Sequence, residues 1–433
     1  RILNENRLPP KDAVRIEELL NYFPYSYAGP QDGHPFAVHS EVSAAPWNGA
    51  HRLVRIGVQG KRLATKNLPN NLVFLLDVSG SMHSADKLPL LKRSLAMLVQ
   101  ELRPQDRVAI AVYAGAAGLV LPPTSGSEQN RILAALEGLQ AGGSTAGGAG
   151  INLAYRIARD TFMKGGNNRV ILATDGDFNV GQSSDGELVD IIEKQRKSGV
   201  YLTVLGFGTG NYQDAKMQKL ADHGNGNHAY IDSLLEARKV LVSEMGGTLL
   251  TIAKDVKIQV EFNPAFVKGY RLIGYENRML KARDFNDDKK DAGELGAGHS
   301  VTALYELIPA GSGEPLVAVD RLKYQAVAIT DAAHTSGEIM TVKLRYKRPK
   351  EDKSILLSRP VLDRHVDMDT TSDDFRFAAS VAEFGLLLRD SAHKGKASYR
   401  AVEARARQAL GQDSAGYRHD FIKLVQKAAA TPR

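Results

Sequence analysis

The chain has 433 residues, too many for one hydrophobic core, so at least two domains are expected. Its 43% hydrophobic and 24% charged residues are ordinary for packed protein, and its net charge of +7 is spread without a long basic run, which argues against a nucleic-acid partner. The absence of cysteine excludes disulfides, thiolate metal sites and Cys nucleophiles but leaves the compartment open.

Residues 1–68 open with a helix expected over Asp12–Tyr22, followed by strand-like runs at Phe36–Val42 and His51–Gln59. Residues 69–247 change character. The apolar runs LVFLLD (72–77), RVAIAVY (107–113), RVILATD (169–175), VYLTVLGFG (200–208) and HAYI (228–231) alternate with amphipathic stretches. Those stretches predict helices over Asp86–Leu102, Ser127–Leu139, Gly148–Phe162, Gly186–Ser198, Gln213–His223 and Leu234–Met245. Strands apolar on both faces belong to a sheet covered by helices on both sides. The expectation is a doubly wound, mostly parallel α/β sheet with right-handed crossovers.

Residues 248–372 return to short strands, AKDVKIQVEF, YRLIGYE, SVTALYELI, LKYQAVAI and GEIMTVKLRYK, whose spacing predicts an antiparallel β-sandwich. Residues 373–433 turn helical. One arrangement explains this order: the α/β domain is inserted in or flanked by the sandwich, with residues 36–60 pairing with strands after 250. No apolar run approaches the roughly 20 residues that cross a bilayer. The chain begins at Arg1 without a signal-like stretch, so a leader is expected on a longer precursor.

The sharpest chemical signal is D-V-S-G-S at 77–81, where a buried strand ends and a helix is about to begin. Open α/β sheets bind ligands at the carboxyl ends of their strands. Asp77 with the hydroxyls of Ser79 and Ser81 is a hard-oxygen set suited to Mg²⁺, Mn²⁺ or Ca²⁺. Two later segments complete it. GGSTAGGAGI (142–151) carries Thr145 in a glycine-rich loop before a helix, and RVILATDG (169–176) ends a strand on Asp175. Each alone is as well explained by a cap or a turn, and the glycine loop lacks the Lys-Ser/Thr of a phosphate-binding P-loop. The three together, in order, point to one cation site.

These motifs resemble the metal-ion-dependent adhesion site of von Willebrand factor type A domains over residues 69–247. The resemblance implies Asp77, Ser79, Ser81, Thr145 and Asp175 as the site residues, with Asp175 often acting through water. Ser144 is the neighbour to be distinguished from Thr145, which is preferred because Gly150 and Ile151 follow it at the family's spacing. The flanks RLPPKDAVRIEELLNYFPYSY (8–27), FNDDKKDAGELGAGHSVTALYE (285–306) and FRFAASVAEFGLLLRDS (375–391) resemble a bacterial, YfbK-like family of von Willebrand A proteins. That resemblance implies an exported module of the cell envelope or periplasm, often lipid-anchored; a non-enzymatic role is expected because the side chains of a catalytic constellation are not evident. Through the ion it would bind an exposed acidic residue of a protein partner.

Other readings stand beside it. One is an intracellular regulatory or assembly factor acting with an ATPase. A metal-dependent phosphatase would need a second Asp where Ser79 stands and a Lys to balance the phosphoryl group, and none is evident. Asp177 is expected to cap or turn, and His83, His223 and His228 to be ordinary surface residues. DFNDDKKDAGE (284–294) is superficially like an EF-hand but has Lys289 where Gly is needed and Leu295 where Glu is needed, so a solvated loop is expected.

Overall fold

The computed structural model describes residues 2–62, 68–143, 147–176, 185–208, 214–244, 251–275, 285, 293–314, 329–349, 351–364 and 366–432. They fall into two compact units. One is discontinuous, Arg1–Arg62 with Thr251–Arg433, and the other is Leu63–Leu250.

In chain order, the discontinuous unit begins with helix α1 (Ile16–Tyr22) and the hairpin β1 (Phe36–Ala45) and β2 (Asn48–Gly60). The predicted helix from Asp12 starts late, because Val14 is extended and only a 3₁₀ turn precedes it.

The continuous unit contains β3 (Asn70–Asp77), α2 (Leu88–Gln100), β4 (Arg107–Tyr113), β5 (Ala117–Ser125), α3 (Gln129–Glu137) and α4 (Gly147–Asp160). It continues with β6 (Asn167–Thr174), α5 (Asp185–Arg196), β7 (Val200–Phe207), α6 (Asp214–His223), β8 (His228–Ile231) and α7 (Leu234–Arg238). The last helix turns π-helical over Lys239–Glu244. Its six strands lie in the order β5-β4-β3-β6-β7-β8, all parallel except β5.

Alternate residues of β3 enter opposite cores. Leu72, Phe74 and Leu76 pack with Leu91, Leu95 and Val99 of α2, while Val73 and Leu75 pack with Ile151, Ala154 and Tyr155 of α4. Each such side chain contributes about 1.5–3 kcal/mol by leaving water, so the all-apolar strand is anchored from both faces. The antiparallel β5 was not foreseen. Its edge position leaves Leu119 and Val120 exposed and tolerates Pro122 and Pro123, so it lacks the apolar run that marks its neighbours.

The discontinuous unit resumes with β9 (Thr251–Phe262), β10 (Val267–Leu272), β11 (Gly293–Gly296), β12 (Ser300–Pro309), β13 (Glu338–Lys347) and β14 (Ile355–Leu362). Two antiparallel sheets result, β1-β2-β12-β10 and β11-β9-β13-β14. As expected, residues before the α/β unit pair with residues after it, from Gln59 opposite Ser300 to Arg52 opposite Leu307. The sheets meet through Phe36 against Tyr346 and Phe262 against Tyr305. Most of LKYQAVAI and of 284–294 lies outside the described residues. β14 was not foreseen, because ILLSRPVL neither alternates cleanly nor lacks proline.

Three helices, Asp373–Leu388, Tyr399–Gln408 and Tyr417–Ala430, complete this unit. Ser372 caps the first by accepting from the Phe375 N–H at 3.1 Å. Phe375, Phe377 and Phe384 of that helix join Ile16, Leu20, Trp47 and Phe421 in one core.

Candidate metal centre

β3 ends on Asp77 at the point where the chain turns from one side of the sheet to the other: β4 lies on one side of β3 and β6 on the other. The Asp77 carboxylate is fully buried. Oδ1 accepts from the Ser79 N–H at 2.9 Å, and Oδ2 accepts from the hydroxyls of Tyr113 and Thr174, each at 3.1 Å. Tyr113 is the register partner of Asp77 on β4, and Thr174 ends β6. Burial pushes the Asp77 carboxyl above its ordinary value, against the hydrogen bonds of Ser79; the nearby charge of Asp175 adds to the rise.

The turn after β3 brings the hydroxyls of Ser79 and Ser81 to 3.0 Å from each other. The glycine-rich loop approaches the same turn: Gly142 N–H donates to the Val78 carbonyl at 2.7 Å and Gly80 N–H to the Gly143 carbonyl at 3.1 Å. Thr145 and its neighbour Ser144 lie outside the described residues, as does Asp177. Asp175 is buried at the end of β6, where Lys87 Nζ donates to its Oδ2 at 2.8 Å and to the Ser81 carbonyl at 3.0 Å. The structure therefore gathers Asp77, Ser79, Ser81 and Asp175 at one sheet edge.

This donor set contains only oxygen, two carboxylates with two hydroxyls, which fits a hard divalent cation. Among the described residues no three His, Asp or Glu gather as an alternative cluster.

Family models cover almost the whole chain. One described as von Willebrand factor type A domain matches residues 71–243, and one described as von Willebrand factor matches 1–55. A third, described as the C-terminal part of uncharacterized protein YfbK, matches 247–431. The uncharacterized protein YfbK of Escherichia coli (strain K12) is 45% identical over 436 residues, which cover 99% of this chain and 75% of that protein. The chain belongs to the YfbK family of von Willebrand A proteins. Human inter-alpha-trypsin inhibitor heavy chain H4 is 28% identical over 240 residues, 52% of this chain and 25% of that one. The solved von Willebrand factor type A structure from Catenulispora acidiphila aligns over 92% of each chain at 15% identity, with a TM-score of 0.43.

Sequence reasoning missed three residues that hold Asp77 and Asp175: Tyr113, Thr174 and Lys87. Tyr113 and Thr174 sit in apolar strand runs, and their polar role follows from the register of β3 with β4 and β6. Lys87 had no signal in the sequence, and its place beside Asp175 comes from the fold. The second acid of a phosphatase is still missing, because Ser79 occupies that position.

His83 is exposed and lines a cleft of about 640 Å³ beside the turn, with Leu88, Lys92, Arg93, Leu139 and Ala141. His223 pairs with Glu193 at 2.7 Å. No helix among the described residues is long and apolar enough to cross a membrane.

Proposed function

We propose that the A domain of this chain is a non-enzymatic protein-binding module. In this reading a divalent cation, Mg²⁺ by preference and Mn²⁺ or Ca²⁺ by the same chemistry, is held by Asp77, Ser79, Ser81, Thr145 and Asp175. The ion contributes charge and open coordination positions. The chain's residues orient it and leave a face to which a partner's Asp or Glu carboxylate binds.

The observation that carries this reading is the state of Asp77. A fully buried carboxylate at the carboxyl end of a strand, held by the Ser79 N–H and two hydroxyls, is stable as the anion only with positive charge nearby, which a bound cation would supply. Five side chains, some acting through water, leave a site that takes about six oxygens unsaturated. The cleft beside it carries Lys92 and Arg93 against the single acid Glu137, a balance that favours an acidic partner surface. A cell-envelope location is the one the family resemblance implies.

The test is a pull-down from envelope and cytosolic fractions of the source cell with the full chain and its Asp77→Ala variant, in Mg²⁺ or in EDTA. A protein retained only by the wild type with Mg²⁺ supports the reading and names partner and compartment together. A cytosolic ATPase captured in that way would move the function to an intracellular assembly role. Retention regardless of metal and substitution would remove the ion from the binding function altogether.

A further inference from the structure

Lys87 lies at the N-terminal edge of α2, and its side chain is only 15% exposed although lysine ordinarily stands in water. Its Nζ bridges the Asp175 carboxylate and the Ser81 carbonyl, at 2.8 and 3.0 Å. The Asp175 side chain is itself 3% exposed, so this ion pair is largely shielded from solvent.

The seat for the lysine stem is built by the fold. Gly208, just past β7, has φ +76°, and a Cβ there would lie 2.4 Å from Lys87 Cε and 2.5 Å from its Cγ. Any other residue at 208 would collide with the stem. The Tyr230 hydroxyl also donates to the Gly208 carbonyl and fixes that turn. Holding a four-carbon stem in one path carries an entropic cost, which the pair with Asp175 offsets.

We propose that Lys87 is a built-in counter-charge of the cation site, one that lowers its resting affinity for the ion and keeps the loaded site electropositive. This rests on the cation reading of Asp77 and Asp175. The two carboxylates bring two negative charges and Lys87 one positive, leaving the set at minus one. A divalent ion then gives a net charge of plus one, which a single partner carboxylate neutralises. Without Lys87 the ion would be fully neutralised by the chain, would bind more tightly and would attract an external carboxylate less. Charges this close in a shielded site interact strongly enough to shift an equilibrium tenfold or more.

The test uses the full chain with Mn²⁺ alone, following free Mn²⁺ by electron paramagnetic resonance, and then adds acetate to the Mn²⁺-loaded protein while following water-proton relaxation. Lys87→Met and Lys87→Gln should bind Mn²⁺ at least about tenfold more tightly than wild type and respond less to acetate. Lys87→Arg, which keeps the charge, should stay closer to wild type. Unchanged or weaker Mn²⁺ binding in both neutral variants, with wild-type binding intact, overturns the role given to Lys87 alone; the lysine would then only orient Asp175. If wild type takes up no more Mn²⁺ than Asp77→Ala, the cation reading falls and this inference with it. Melting of each variant in EDTA checks that all are folded.

Discussion

The hydroxyl of Tyr113 donates to Asp77 Oδ2 at 3.1 Å across the parallel pair of β3 and β4, where the two residues are register partners. Burial, then the charge of Asp77, raises the Tyr113 phenol well above its usual value, so it stays protonated and acts as a donor. Groups that orient a ligand in this way are worth roughly 10–100-fold in metal affinity. Tyr113→Phe should therefore weaken Mn²⁺ binding about tenfold without unfolding the domain, as read by titration alongside circular dichroism.

Asp77→Asn should have opposite effects with and without metal. Because the folded carboxyl is raised, Asp77 contributes stability only below the ordinary carboxylate range and opposes folding as pH rises through its folded value. In EDTA at neutral pH the variant should melt a few degrees higher than wild type. With Mg²⁺ the order should invert, since saturation at 100 times Kd stabilises only wild type, by about 2.7 kcal/mol. A wild type whose melting ignores Mg²⁺ would count against the site.

Asp106 fastens the entry of β3 to the turn before β4. Its Oδ1 accepts from Asn70 N and Nδ2 and Arg103 Nη2, and its Oδ2 from Arg103 N and Nε, all between 2.8 and 2.9 Å. Burial would raise this carboxyl, but the bonds from Arg103 and Asn70 outweigh it and hold it below its ordinary value. Its stability contribution is thus present above about pH 4 and lost as pH falls through the folded value. Asp106→Ala should destabilise the A domain by about 3 kcal/mol at pH 7, with the difference from wild type shrinking in acid; urea midpoints at several pH values decide it.

In the β unit, His51 Nδ1 lies 2.6 Å from Glu306 Oε1, and its Nε2 contacts Glu314. Burial would lower the imidazole, yet the two carboxylates outweigh it and raise it. The contribution is complete below about pH 6.5 and disappears as pH rises through the folded value. Trp47, the chain's one tryptophan, is buried in the same unit and reports on it. Its unfolding midpoint should fall between pH 6 and pH 8 in wild type, and His51→Gln should flatten that slope.

Gly208→Ala places a Cβ on a left-handed backbone and into the Lys87 stem. A loss of at least about 1 kcal/mol is expected from the backbone alone. The variant should also share part of the Mn²⁺ phenotype of Lys87→Met. Wild-type stability and Mn²⁺ affinity would mean that the stem has another path.

The sequence alone determined the class of each half and the oxygen-rich character of the residues at the end of β3. Continuous apolar runs such as LVFLLD can be buried only on both faces, and D-V-S-G-S at the end of such a run can be satisfied only by polar neighbours or an ion. These are local properties, legible from a stretch of a few residues. Tertiary structure alone decided the rest. Among the described residues β5 and β14 are edge strands, where prolines and exposed positions are tolerated, and only the strand order shows which runs lie at an edge. Tyr113 and Thr174 become partners of Asp77 through the register of three strands distant in sequence. Lys87 meets Asp175 only because α2 starts beside β6 and a left-handed glycine after β7 leaves its stem a path.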